Sequence, residues 1–205
     1  SGVMDGSWAP TANARVLSVA VAPNGSRVYI AGAFTAVNGV TRYRVAALDP
    51  TTGAVITSWA PAVNGVVDDI KATDTTVYFT GSFSAVGSTA RTRIAAVRAS
   101  NGALISTFAP ALEGGYGGRA LEISPDASKV VVAGSFLTTN GSANPGRGMA
   151  ALDATTGASL PWAVNSVIRN AGENASIYSL SSDATGVYGS GYDFYGTKEQ
   201  DDFEG

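Results

Sequence analysis

The chain has 205 residues, 45% hydrophobic and 14% charged, with a net charge of −3 and neither Cys nor His. That composition can bury a sizeable core, but it excludes disulfides, thiolate chemistry, imidazole bases and the usual ligands of zinc, copper and haem. It also lacks the basic field that draws proteins to phosphate backbones, and no apolar run nears the roughly 18 residues of a spanning helix, so neither nucleic acid nor membrane insertion is expected.

In chain order, Val3 to Trp8 reads as an isolated last strand, followed by a unit of alternating and β-branched segments. Val16 to Val21 is its first strand, and Pro23-Asn24-Gly25 supplies a hairpin turn. Arg27 to Phe34 is the second strand, Thr35 to Tyr43 a longer loop, Arg44 to Asp49 the third strand, Pro50-Thr51-Thr52-Gly53 a tight turn, and Val55 to Trp59 the fourth strand. A second unit repeats this at Val67 to Thr73, Val77 to Phe83, Arg93 to Arg98 and Ala103 to Phe108. A third follows at Ala120 to Ser124, Lys129 to Phe136, Met149 to Asp153 and Ala158 to Trp162. A fourth begins at Ile177 and runs through Val187 to Phe194 before the pattern stops.

The units share marks. Trp8-Ala9-Pro10, Trp59-Ala60-Pro61 and Phe108-Ala109-Pro110 recur, with Pro161-Trp162-Ala163 as a reordered copy, the aromatics standing 51, 49 and 54 residues apart. Gly-x-Phe follows at Gly32, Gly81 and Gly134, and an Ala-Ala pair at Ala46, Ala95 and Ala150. A period near 50 residues made of short strands predicts propeller blades. The expected fold is all-β: a β-propeller of four-stranded antiparallel blades, three complete and partial at both ends. Residues 1–10 form an outer strand of a preceding or closing blade, residues 11–61, 62–110 and 111–163 the blades, and 164–205 an incomplete blade. The start at Ser1, inside a repeat and without a leader pattern, reads as a mature or excised piece of a longer protein. Because an open ring exposes unpaired edges, the remaining blades or another copy are expected as partners. Length varies in two connections, from fourth strand to next first and from second strand to third. In a meander both emerge at one end, where a repeat protein carries its binding surface.

The run Ala31-Gly32-Ala33-Phe34-Thr35-Ala36-Val37-Asn38-Gly39, with Arg44-Val45-Ala46-Ala47-Leu48-Asp49-Pro50-Thr51-Thr52-Gly53, resembles the delta-60-repeat type of β-propeller found in large secreted actinobacterial proteins. The second unit departs from it at Gly87-Ser88 and Arg98. The resemblance implies an extracellular or cell-surface location, a propeller within a larger protein, and no catalytic residues to carry over. A weaker likeness, Ala47, Asp49 and Gly53 with Trp59, is similar to the tryptophan-docking repeat of quinoprotein dehydrogenases, although Gly53 to Trp59 is two residues too long for that pattern.

Candidate site residues follow from the connections. Tyr116, within Glu113-Gly114-Gly115-Tyr116-Gly117-Gly118, and Tyr195 offer aromatic faces to a sugar or protein, or else fold back over the propeller mouth. Arg42, Arg91 and the displaced Arg147 either clamp an anionic ligand or brace their own blades, with Arg44 and Arg93 beside them. Trp8, Trp59, Phe108 and Trp162 are expected as wedges between blades. Asp49 and Asp153 are expected to accept backbone N–H bonds in the turns that follow them. Asp68 and Asp69, adjacent on a strand, are expected to point to opposite faces. Calcium is the one metal left open, with Glu199, Asp201, Asp202 and Glu204 as candidates. No other cofactor is expected.

The resulting expectation is a non-enzymatic extracellular interaction module that engages a protein or glycan through its variable-loop end. The alternative is a propeller enzyme, either a quinoprotein-like oxidoreductase or a carboxylate-based glycan-cleaving enzyme with Glu113, Glu173 and Asp193 as its acids.

Overall fold

The structure, a computed structural model, describes residues 6–143, 145–162 and 176–192. The described residues contain no helix.

The first unit contains β1 (Val16–Val21), β2 (Val28–Gly32), β3 (Ala36–Val37), β4 (Val40–Thr41) and β5 (Val45–Leu48), with β1, β2 and β5 in one antiparallel sheet. The second contains β6 (Val67–Ala72), β7 (Thr76–Gly81), β8 (Ala85–Val86), β9 (Thr89–Ala90) and β10 (Ile94–Arg98), with β6, β7 and β10 as its sheet. The third contains β11 (Leu112–Glu113), β12 (Gly118–Ile123), β13 (Lys129–Gly134), β14 (Thr138–Thr139) and β15 (Met149–Asp153), with β12, β13 and β15 as its sheet. The hairpin of β16 (Ser176–Ser182) and β17 (Val187–Tyr192) opens the fourth.

First strands of successive units pack side by side, β1 on β6, β6 on β12 and β12 on β16, while the third strands lie outermost. Sheets stacked radially around an axis in this way are the blades of a β-propeller.

Among the described residues three cores lie between two blades, and a fourth covers the back face of the first blade. Period-2 alternation along β5 sends Val45 and Ala47 toward the second blade, where they meet Trp59, Ile70, Phe79 and Val97, and sends Ala46 and Leu48 to the other face. Along β10, Ala95 and Val97 face the first blade, whereas Ile94 and Ala96 face the third. The Ala-Ala signature therefore gives one methyl to each face, leaving room for the large aromatics that seal the interfaces.

The recurrent Gly has an equally local cause. Each inner strand carries a bulge near its start, between Val16 and Ser18, Val67 and Asp69, and Gly118 and Ala120. A Cβ on Gly32 would lie 2.1 Å from the Arg15 carbonyl oxygen, and one on Gly81 2.2 Å from that of Val66. No side chain fits beneath a carbonyl at that distance.

The expected fourth strands at Val55, Ala103 and Ala158 shrink to single bridges, Leu48 with Val55, Val97 with Leu104, and Leu152 with Ser159. After the bridge the chain bends, the Trp59 N–H donating to the Ile56 carbonyl at 3.1 Å, and the aromatic swings off the edge into the next interface. There the Trp59 indole N–H donates to the Arg98 carbonyl at 3.1 Å, as Trp8 does to that of Asp49 at 3.2 Å. The Pro that follows lies against the turn Gly of the same blade, Pro10 on Gly53, Pro61 on Gly102 and Pro110 on Gly157. Aromatic-Ala-Pro is thus the clasp of each unit on its successor.

Candidate functional site

Both variable connections leave the sheets at one end, and they are built rather than loose, the hairpin tips folding back so that Asn38 donates to the Gly53 carbonyl and Asn140 to that of Gly157, both at 3.0 Å. The loop from second to third strand forms the β3–β4 hairpin in the first unit, turned by Asn38 and Gly39 with φ of 50° and 75°. Those two successive positive φ values are what a type I′ turn requires, and Asn-Gly supplies them. The second unit uses β8–β9, and in the third β14 pairs with β11.

Each hairpin is stitched to the connection that enters its unit by a bridge, Ala12 to Val37 and Val63 to Val86. Asn13 accepts the N–H groups of Thr35 and Ala36 on its side-chain oxygen at 2.9 and 3.0 Å, and Asn64 does the same for Ser84 and Ala85, both at 2.9 Å. In the third unit Glu113 takes this position and accepts from the Thr138 hydroxyl at 2.8 Å and the Gly141 N–H at 3.2 Å. The acid named as a catalytic candidate is therefore engaged in holding a hairpin.

Tyr116 stands on this end with 60% of its surface exposed. Gly114, Gly115 and Gly117 around it all have positive φ, and a Cβ on Gly115 would collide with the Ser135 carbonyl at 1.7 Å. Its own N–H donates to the Ser135 hydroxyl at 3.0 Å, so the ring projects from a fixed backbone. Tyr43 is a second exposed aromatic beside the β4–β5 connection, one that the sequence did not single out.

Arg42 and Arg91 are buried, and their guanidiniums donate to carbonyls of their own blades: Arg42 to Thr41 at 2.6 Å and Thr57 at 3.0 Å, Arg91 to Ala90 at 2.8 Å and Ser106 at 3.3 Å. Each ties a connection hairpin to the bend that follows the outer bridge. Arg44 and Arg93, with φ of 69° and 70°, sit where the third unit has Gly148 at 71°, and they donate to the carbonyls of Ala33 and Gly114. Arg147 is half-buried between Gly146 and Gly148. Tyr195, Glu173, Asp193 and the calcium candidates Glu199, Asp201, Asp202 and Glu204 lie outside the described residues. Among the described residues no group of three or more acids is placed to hold a metal ion.

Along the axis the inner strands carry a polar seam. Asp68 pairs with Arg119 at 3.1 Å and Lys71 with Glu122 at 2.9 Å, each linking the second blade to the third. Asp69 accepts from the Ser18 hydroxyl of the first blade at 2.6 Å and from the Leu121 N–H of the third at 2.8 Å. Asp68 and Asp69 were expected on opposite faces, yet both reach the third blade, because the bulge between Val67 and Asp69 breaks the alternation. Burial raises the Asp69 carboxyl above its ordinary range against the pull of its donors, and burial raises Asp68 against the pull of Arg119. In the outer turns the opposite holds. Asp49 accepts from the N–H groups of Thr51 and Thr52 at 2.9 and 2.7 Å, and these bonds hold it below the usual carboxylate range, as the Thr156 and Thr155 bonds do for Asp153.

Between the third and fourth blades a cleft of about 520 Å³ opens, lined by Val131, Met149, Leu160, Trp162, Leu180 and Val187. Among the described residues its lining is largely apolar, with Lys129 as the one charged side chain.

No protein-family model matches the chain, and no curated protein matches it. Solved structures do. BamB from Moraxella catarrhalis aligns over 86% of this chain and 44% of its own, with a TM-score of 0.52 and 22% identity. Hydrazine synthase from Kuenenia stuttgartiensis aligns over 70% of this chain and 35% of its own, with a TM-score of 0.45 and 20% identity. The chain spans less than half the length of either. With the radial stacking of its sheets, the likeness to BamB shows an all-β propeller fold.

Proposed function

We propose that the chain is a non-enzymatic β-propeller interaction module of an extracellular or cell-surface protein, and that it engages a protein partner through the end formed by its paired connections. The observation that supports this reading most is Tyr116, an aromatic side chain projected into solvent from a glycine-fixed backbone, on an end where hairpins and side-chain staples hold every described connection in place. A rigid exposed aromatic contributes contact area at low entropic cost, which is what interface anchors do. Tyr43 adds a second such anchor. The same flat faces suit a sugar ring, so a glycan is the competing ligand. The ring's other partners are its remaining blades or another copy of the chain.

The test places a photo-crosslinking amino acid at Tyr116 and, separately, at Thr51, in the turn that follows β5 of the first blade. Capture of a defined surface protein from the 116 position alone, abolished by Tyr43→Ala, supports the proposal. Equal capture from both positions overturns it, as does a glycan array signal lost in Tyr116→Ala with no protein captured.

A further inference from the structure

Three described connections cross from an outer hairpin to an inner strand, and the third is longer than the other two. Between Ala12, which bridges Val37, and Arg15, whose carbonyl accepts from the Ala33 N–H, stand Asn13 and Ala14. Between Val63, which bridges Val86, and Val66, whose carbonyl accepts from the Ser82 N–H, stand Asn64 and Gly65. Between Leu112, paired with Thr139, and Gly117, whose carbonyl accepts from the Ser135 N–H, stand Glu113, Gly114, Gly115 and Tyr116. The extra residues of the third unit carry the exposed Tyr116. A connection lengthened with glycines gains conformations, so its aromatic acts as a rigid anchor only where other groups hold the backbone.

Those groups come from two blades. The third blade supplies the Ser135 hydroxyl, which accepts from the Tyr116 N–H at 3.0 Å. The second blade supplies Arg93. Its guanidinium donates to the Gly114 carbonyl and, at 3.4 Å, to that of Leu112. Its stem runs past Gly117, where a Cβ would stand 3.0 Å from Arg93 Cδ. One side chain of the neighbouring blade thus meets the connection on both sides of Tyr116.

The backbone at this position does not call for an arginine. Arg44, Arg93 and Gly148 are equivalent, with φ of 69°, 70° and 71°. Each donates its N–H to the carbonyl of Phe34, Phe83 or Phe136, and each accepts on its own carbonyl from the N–H of Gly32, Gly81 or Gly134. Glycine fills this role in the third unit without the crowding that a Cβ meets at positive φ. What distinguishes the second unit is the reach of the side chain. Arg44 stands before the short connection through Asn64 and Gly65 and turns back to the Ala33 carbonyl of its own blade, whereas Arg93 stands before the lengthened one and crosses to it.

We infer that Arg93 is a positioning residue for Tyr116, so that the anchor carried by the third blade is set from the second. The inference rests on the reading of Tyr116 as an interface anchor and adds a dependence of its pose on a side chain that need not touch the partner.

Two readouts test it. Tyr116→Cys carrying a nitroxide, in a chain with no other Cys, reports the motion of the connection without any partner. Arg93→Gly keeps the positive φ and removes the contacts, so it should narrow the lines of the label while shifting the urea midpoint no further than Arg44→Gly does. Arg44→Gly should leave the lines as they are, and Arg93→Lys, which keeps a donor for Gly114, should fall between. With the photo-crosslinker at 116, Arg93→Gly should lower capture of the surface protein about tenfold, the loss that goes with misplacing one interface anchor, and Arg93→Lys should restore part of it. Lines that stay broad in Arg93→Gly overturn the inference, as do lines that narrow equally in Arg44→Gly and capture that survives Arg93→Gly in full. A midpoint lowered well beyond that of Arg44→Gly also overturns it, since Arg93 would then brace the fold as a whole. Lines that narrow as expected in a chain that captures no protein at 116 would count against the proposed function and leave the hold of Arg93 on the connection standing.

Discussion

The interface between the first and second blades and that between the third and fourth are written in the same repeat, yet only the first is sealed. In the first, Trp59 is fully buried, its ring centroid 5.1 Å from that of Tyr29, and the tyrosine hydroxyl reaches the neighbouring blade. In the third, Val131 stands in the tyrosine column, Trp162 is half-buried, and the cleft lies beside them. The aromatic clasp alone does not close an interface; it needs a partner ring on the second strand of the blade it leaves.

That contrast breaks most directly at the clasp. Trp59→Ala should cost about 3–5 kcal/mol, the usual loss for a fully buried Trp, whereas Trp162→Ala should cost clearly less. Equal losses in urea denaturation would show that the two interfaces are alike in energy despite their geometry. Gly81→Ala comes next, toward the upper end of the ~1–3 kcal/mol that overpacking costs, since its Cβ would sit 2.2 Å from a carbonyl oxygen that the bulge holds in place. A shift in the urea midpoint no larger than that of a surface control would mean the bulge yields freely. Tyr78→Phe removes a 2.8 Å bond to Ala154 and should cost about 1 kcal/mol. In the other direction, Val131→Tyr should gain about 0.5–1.5 kcal/mol by filling the cleft. If thermal unfolding shows no gain, the cleft is not the result of the missing ring.

Much of this was legible in the sequence. The repeated blades, the inner and middle strands, the wedge role of Trp59 and Phe108 and the Asp49 and Asp153 turns follow from motifs whose cause is local: a Gly beneath a carbonyl, an Asp ahead of Thr N–H groups, an Ala for each face, whereas Trp8 and Trp162, expected as wedges too, are only partly buried. The outer strands were less legible, because Val55, Ile56 and Thr57 are β-branched like a strand while the bend at Ile56 is set by where Trp59 must go. The axial seam was hidden for a related reason. Read along β6, Asp68 and Asp69 are two neighbouring acids. Read down the columns of the repeat, Asp68 aligns with Arg119 and Lys71 with Glu122, and opposite charges in one column predict a contact between adjacent blades. The role of Arg42 and Arg91 lay between, since the sequence offered both a clamp and a brace and the carbonyls of Thr57 and Ser106 become their acceptors only once the outer edge bends.

The gentlest way to sharpen the comparison is pH, because the axis and the outer turns respond in opposite senses. Asp69 has a folded pKa raised above its unfolded value, so ionising it in the fold is unfavourable: its contribution to stability falls as pH rises from the unfolded value near 3.8 through the folded one, and is recovered on acidification across that window. Asp49 and Asp153 have depressed folded pKa values, so what they contribute is fully present above 3.8 and is lost only as pH falls below it. Asp69→Asn removes the first effect and leaves the second. The wild-type chain should therefore gain stability over Asp69→Asn as pH is lowered toward 3.8, while both lose stability in parallel below it. Urea midpoints taken for the two proteins at several pH values give the difference directly. A difference that stays flat above 3.8 would mean that the carboxylate bridging Ser18 and Leu121 is held as comfortably as one in water, and the axis would then be no more sensitive to protonation than the turns.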